Sequence, residues 1–121
     1  MLGIVIDDLG DTAVVRCVGR IVSGQEANVL RLAVLSQVKR HSVVLDLAMV
    51  ESIDAGGIGM LVSLERWARA SGLSLKLMNP TLQVREVLEL MNLDSVFEIC
   101  LSPDAGLADR VGVPAIADAA A

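Results

Sequence analysis

Aromatic residues are almost missing from this sequence, which has one Trp, one Phe and no Tyr in 121 residues. A core without rings must be filled by Val, Leu, Ile, Ala and Met, and an apolar content of 54% is enough for one domain. Histidine is nearly absent too. His41 is the single one, so no Ser-His-Asp or Cys-His set can be assembled without it. Its place beside Lys39 and Arg40, at the expected end of a helix, is better explained by the helix dipole. Only two cysteines occur, Cys17 and Cys100, far apart and without ligand spacing. They read as small buried hydrophobes in a reducing compartment. The scattered His, Cys and carboxylates give no metal-ligand cluster, so neither a metal nor another cofactor is expected. No apolar run reaches the length of about 18 residues that a membrane helix needs. The start of the chain lacks a basic stretch followed by an apolar one, so no signal peptide and no membrane insertion are expected, and a cytoplasmic location is the default. Positive charge is in deficit, with a formal net charge of −5. That balance repels phosphate backbones and makes nucleic acid and anionic membrane surfaces unpromising partners.

What is present is a succession of short periodic segments. Leu2 to Asp7 and Thr12 to Val18, around the turn residues Asp8-Leu9-Gly10-Asp11, read as a hairpin that Gly19 ends. Ser23-Gly24-Gln25-Glu26 fits a capping box opening a helix to about Lys39, with Ala27, Leu30, Val34 and Val38 on one face. Val43 to Leu47 is a strand of the kind buried on both faces. The chain turns at Ile53-Asp54-Ala55-Gly56-Gly57 into a second helix, with the stripe Met60, Leu61, Leu64, Trp67 and Ala68 and a stop at Gly72. Leu73 to Met78 is a strand. Asn79-Pro80 opens a third helix with Val84, Val87, Leu88 and Met91 inward. Val96 to Cys100 closes the sheet, and Ser102-Pro103-Asp104 predicts a short helix near Leu107.

The order β-β-α-β-α-β-α-β-α predicts an α/β domain over residues 1–111 and a frayed tail over 112–121. Strand-helix-strand units imply parallel pairing with right-handed crossovers. The leading hairpin adds an antiparallel pair, giving a mixed, mostly parallel sheet of about five strands. The helices should lie mainly on one face, leaving a second face through which a homodimer could form.

Two places could carry chemistry. Asp54-Ala55-Gly56-Gly57-Ile58-Gly59 contains G-G-x-G at a strand-to-helix turn, where backbone N–H groups could cradle a phosphate. It is neither the Rossmann nor the P-loop spacing and no Lys follows. Close packing of helix on sheet, with Asp54 as the N-cap, accounts for the same residues. Asp46 and Asp54, near the C-terminal edge of a central strand, could act as a carboxylate pair. No nucleophile or oxyanion donor accompanies them, and capping or turn hydrogen bonds explain both.

The stretch from Val43 to Leu61, with Asp46-Leu47 closing a strand and Ile53-Asp54-Ala55-Gly56-Gly57-Ile58 opening a helix, resembles the signature of the STAS domain. That family includes sulfate-transporter tails and bacterial anti-sigma-factor antagonists. The resemblance extends to Gly19, the strand at Gly72-Leu73-Ser74-Leu75, the helix from Val84 to Met91 and the closing Ser102-Pro103-Asp104-Ala105. It implies a STAS-like single domain that regulates by binding. In the antagonists, a partner that is both kinase and anti-sigma factor phosphorylates a Ser or Thr at the helix N-terminus, and the unphosphorylated form binds that partner. Added charge at a fitted interface makes the switch. Asp54 matches the family Asp, Ala55 and Gly56 match the two Ser/Thr positions, and Gly57 matches the following Gly. Gly56, at the acceptor position, has no hydroxyl, and Ser52 is a weak substitute.

The resemblance therefore implies a non-enzymatic domain that binds an anti-sigma factor or a related serine-kinase-like regulator, without phosphorylation at the usual site. The expected contact residues are Ser52, Asp54, Ala55, Gly56, Gly57, Ile58, Gly59, Val62, Ser63 and Arg66, with Ala48 to Ser52 as the adjoining loop. Ile58 and Val62 are read as exposed aliphatics of that surface, although a broad core stripe explains them equally. Two other readings stay open: a subunit of a lipid-transport complex docking on an ATPase, and a nucleotide-binding domain.

Overall fold

The structure, a computed structural model, describes residues 2–100. Leu2–Leu9 (β1) and Thr12–Ile21 (β2) pair antiparallel in unbroken register from Leu2 opposite Gly19 to Leu9 opposite Thr12. At the hairpin tip Gly10 takes a φ of 80°, a conformation costly for residues with a Cβ, and its N–H donates to Asp8 Oδ1 at 2.9 Å. Arg40 clamps this tip, donating through Nη1 to Asp8 Oδ1 and to the Gly10 carbonyl, both at 2.6 Å. The backbone N–H groups of His41 and Ser42 reach the Asp11 carbonyl at 2.7 and 3.1 Å.

These contacts correct the expectation for the first helix. It spans Gln25–Leu35 (α1) and stops short of Lys39. A tight turn follows, with the Gln37 N–H on the Val34 carbonyl at 2.9 Å, and Arg40 swings away to the hairpin. Val38, expected on the core face, lies beyond the helix and is 53% exposed. Its start also differs: Gly24 is the N-cap, with no side-chain cap, because Ser23 is engaged elsewhere.

Ser42–Ile53 (β3) is longer than the expected strand. The stretch Ala48 to Ser52, expected as a loop, continues to pair with β2 through Val18–Met49, Gly19–Val50 and Arg20–Ser52. Two register shifts accommodate this extension, each placing an extra residue in β3, between Asp46 and Met49 and between Val50 and Ser52. Ala55–Ser71 (α2) follows and ends at Gly72, whose φ of 74° supplies the left-handed stop. Ser74–Met78 (β4), Leu82–Leu90 (α3) and Glu98–Cys100 (β5) complete the described chain. The N-cap of α3 is Thr81, not Asn79. Asn79 instead adopts a φ of 52° and donates its N–H to the Cys100 carbonyl at 2.7 Å. Thr81 Oγ1 accepts the Val84 N–H at 3.3 Å and donates to the Val50 carbonyl at 3.1 Å, joining α3 to the free edge of the β3 extension. The helix expected near Leu107 and the tail at 112–121 lie outside the described residues.

The sheet order is β1-β2-β3-β4-β5, with every pair after the hairpin parallel. Right-handed crossovers that always step in the same direction put every helix on the same face. Ala27, Leu30 and Val34 of α1, Ile58, Leu61, Leu64 and Ala68 of α2, and Val84 and Leu88 of α3 accordingly share one core. The sheet contributes Val15, Cys17, Val43, Leu45, Leu47, Leu75 and Leu77 to it. Cys17 is fully buried, and desolvation pushes its thiol up to about 12, so it is an inert hydrophobe. Trp67, from the apolar stripe of α2, is half-buried at the margin of this core. The opposite face holds a smaller buried cluster, Val14, Val44 and Met78. Arg16 is ion-paired there with Asp7 and, at 3.8 Å, with Asp46. No helix among the described residues is long and apolar enough to cross a membrane.

The start of α2 lies directly on the end of β2, and Gly57 permits it. A Cβ on Gly57 would stand 2.2 Å from the Ile21 carbonyl oxygen and 2.9 Å from Ile53 Cγ1, whereas one on Gly59 would meet nothing within 4 Å among the described residues. Gly57→Ala is therefore expected to cost about 3 kcal/mol or abolish folding, because the obstacle is backbone. Gly59→Ala should stabilise by about 1 kcal/mol through helix propensity. Urea unfolding of the two variants measures the contrast. By the same assay Leu61→Ala, a truncation in the closed core, should cost 2–5 kcal/mol, on the order of known Leu→Ala cavities. Thr81→Ala should cost about 1 kcal/mol by uncapping α3.

Candidate functional site

Asp54 is the hinge of the turn after β3. Its backbone is extended, with φ −105° and ψ −179°, and it serves as N-cap of α2. Its own N–H reaches the Ile21 carbonyl at 3.3 Å and its carbonyl accepts the Ile58 N–H at 2.9 Å. The side chain does more. Oδ1 accepts the Gly57 N–H at 2.7 Å and the Ser23 N–H at 3.0 Å, and Oδ2 lies 3.2 Å from Ser23 Oγ, which donates to it. The Ser23 N–H also lies 3.1 Å from Oδ2. The Gly57 N–H first, then the Ser23 N–H, hold the Asp54 carboxyl below the usual carboxylate range. Asp54 therefore fastens the turn between β2 and α1 to the start of α2.

Ser23 is the functional neighbour that sequence reasoning missed. It was expected to cap α1, and instead it faces Asp54 across 31 residues of chain. The only signal for it was a Ser followed by Gly24, whose φ of 96° lets the turn bend toward α2. Its placement also bears on Gly56. A Cβ on Gly56 would stand 2.2 Å from Ser23 Cβ and 3.1 Å from both Ser23 Cα and Ser23 Oγ.

The other expected site residues divide into surface and interior. Ala55, Gly56, Gly59, Ser63 and Arg66 are exposed, and Gly56, Gly59, Ser63 and Arg66 recur at helical spacing along one side of α2. Val62 is half-buried and lines a groove of about 530 Å³ with Glu65, Arg66, Arg69, Ala70, Leu93 and Val96. Glu65 Oε2 pairs with Arg69 at 3.0 Å, while the buried Oε1 has no partner among the described residues. Ile58 is corrected: it is 1% exposed, inside the core, and so belongs to the broad apolar stripe and not to the surface. Gly57 is buried against β2. Ser52 is partly buried within β3, opposite Arg20.

Neither enzymatic constellation is assembled. Asp46 is held by Arg16 and accepts the Ala48 N–H at 3.1 Å. It is eight extended positions from Asp54, roughly 25 Å at the strand rise, so the two carboxylates do not form a pair. At the glycine-rich turn, Asp54 already takes the Gly57 N–H and sets a negative charge where a phosphate would sit. No group of three or more His, Cys, Asp or Glu among the described residues could hold a metal ion.

The comparisons with known proteins agree with the fold. A family model described as MlaB, STAS domain matches residues 4–101. The fold is similar to that of a structure of the anti-sigma factor antagonist SpoIIAA in its unphosphorylated form, with a TM-score of 0.75, 16% identity and coverage of 92% of this chain and 98% of that one. An anti-sigma factor antagonist from Mycobacterium paratuberculosis is similar with a TM-score of 0.73 and 21% identity, over 92% of this chain and 95% of that one. The murine anion transporter Slc26a9 contains a similar fold, with a TM-score of 0.72 and 16% identity, where 88% of this chain covers 18% of the transporter. No curated protein sequence matches the chain. With the mixed five-stranded sheet, the helices on one face and the Asp54-capped turn in place, the chain belongs to the STAS domain family.

Proposed function

We propose that this protein is a non-catalytic regulatory module that binds an anti-sigma factor or a related serine-kinase-like protein through about the first three turns of α2. The observation that carries the reading is the exposed stripe Gly56, Gly59, Ser63 and Arg66, which starts at the family's Asp-x-x-Gly turn and is almost free of side chains for two turns. A partner element can approach the helix backbone closely there. Arg66 supplies charge at the far end, and the groove beside Val62 supplies apolar depth. The exposed Met49 on the β3 extension is a further apolar contact within this reading.

Gly56 removes the hydroxyl at the family's acceptor position, so binding is not switched there by phosphate. Ser52 does not substitute well, since it is held within a strand. A surface without a switch suits a permanent subunit equally, and this favours a second reading in which the domain docks on the ATPase of a lipid-transport complex. The two share the same surface and differ in the partner.

The partner is identified by purification from the protein's own cells, and co-purification of an ATPase in place of a sigma-regulating protein selects the second reading. With the partner in hand, Gly59→Asp and Arg66→Glu are each expected to weaken binding by about tenfold or more, the loss of roughly 1.4 kcal/mol. Neither residue is buried, so circular dichroism and melting should stay near wild type. Calorimetry showing wild-type affinity in both variants would remove α2 as the contact.

A further inference from the structure

We infer that Ser23 determines what can stand at position 56: its side chain fills the volume that any side chain there would need, so the turn between β2 and α1 locks the start of α2. The case is geometric. A Cβ at position 56 would lie 2.2 Å from Ser23 Cβ, a distance real Cβ atoms do not adopt. Ser23 cannot easily yield, because its N–H and its Oγ are all directed at the Asp54 carboxylate, at 3.0 to 3.2 Å. Asp54 in turn is fixed by the Gly57 N–H at 2.7 Å, and Gly57 is fixed by the Ile21 backbone beneath it. Each contact in this chain holds the next.

The lock has two consequences. Position 56 is closed to a hydroxyl by packing as well as by the absence of one, so replacing Gly56 with Ser does not by itself rebuild a phosphate acceptor. The group that protrudes beside the α2 stripe is then Ser23, from a different segment of the chain. Ser23 is a positioning residue: it acts on the surface through Asp54 and through the space it denies. The consequence for docking rests on the function proposed above, whereas the packing does not depend on it.

The test uses the full protein without a partner, which separates failure of the lock from failure of the docking reading. Wild type, Ser23→Gly, Gly56→Ser and the double variant are compared by urea unfolding and by ¹³C NMR titration of the Asp54 carboxyl. Gly56→Ser alone is expected to raise the unfolding constant by about tenfold or more, as overpacking does. Ser23→Gly alone should change it by about threefold. The double variant should return to within about threefold of Ser23→Gly, since only the milder 3.1 Å approach to Cα remains. In Gly56→Ser the displaced Ser23 no longer donates to Asp54, so the carboxyl should titrate higher, toward its ordinary range. In the double variant the backbone N–H of residue 23 is free to return, and the titration should fall again. Hydrogen bonds depress this carboxyl, the Gly57 N–H most and the Ser23 donors next, so losing Ser23 should relieve the depression in part while the Gly57 cap keeps the rest. Additive effects in the cycle, or an Asp54 titration that Gly56→Ser leaves unmoved, would overturn the proposal. If Gly56→Ser does not fold, the double variant decides: folding supports the lock and failure to fold refutes it.

Discussion

Everything at the working end of this protein depends on how closely α2 begins against the end of β2. Gly57 sits where a Cβ would lie 2.2 Å from the Ile21 carbonyl oxygen, so helix and strand meet backbone to backbone. That contact sets the depth of α2 on the sheet. It thereby decides which residues of α2 face inward: Ile58, Leu61 and Leu64 enter the core, while Gly59, Ser63 and Arg66 remain outside. A bulkier residue at 57 would lift the helix start, and the Asp54 cap, the Ser23 contact and the exposed stripe would move with it.

Asp54 converts this packing into a defined surface. A helix N-terminus carries unsatisfied donors and a positive dipole end, which ordinarily attract an anion from outside. Here the anion is internal. The carboxylate takes the Gly57 N–H, adds the donors of Ser23, and stays ionised below the usual carboxylate range as a result. The Gly57 donor is thereby satisfied from within the chain, and outward lie the small exposed residues Gly56, Gly59 and Ser63 beside the groove at Val62.

Much of this was legible in the sequence because the signals are local. Asp54 before a glycine-rich turn reads as an N-cap, Gly72 as a stop, and the apolar spacing of α2 and α3 as inward stripes, and the structure bears these out except at Met91, which caps the end of α3 and is 47% exposed. Parallel pairing with right-handed crossovers follows from element order, whereas the constant direction of the crossovers is seen only in the sheet order β1-β2-β3-β4-β5. The misses share one cause, a partner far away in the chain. Ser23 satisfies a local capping pattern, yet Asp54, 31 residues on, offers it a charged acceptor. Arg40 looked suited to the end of α1, yet the hairpin tip at Asp8 and Gly10 draws it away and the helix stops early. Ala48 to Ser52 lacks a strand pattern, but a long β2, paired through two register shifts, supplies the partner strand. Ile58 could be placed inside or outside until the rotation of α2 was known, and Gly57 is what fixes that rotation.

The glycines at 56, 57 and 59 show why a motif match needs geometry before it can be interpreted. In sequence they form one run and invite one explanation. In the fold each answers to a different demand. Gly57 is required by backbone contact with β2, Gly56 is matched to Ser23, and Gly59 faces space where nothing among the described residues excludes a side chain. A mid-helix glycine that no internal contact requires costs helix stability of about 1 kcal/mol relative to alanine. Packing therefore explains two of the three, and the third, Gly59, lies on the face of α2 proposed above as the contact, where a close approach of a partner is the reason the proposal offers for it.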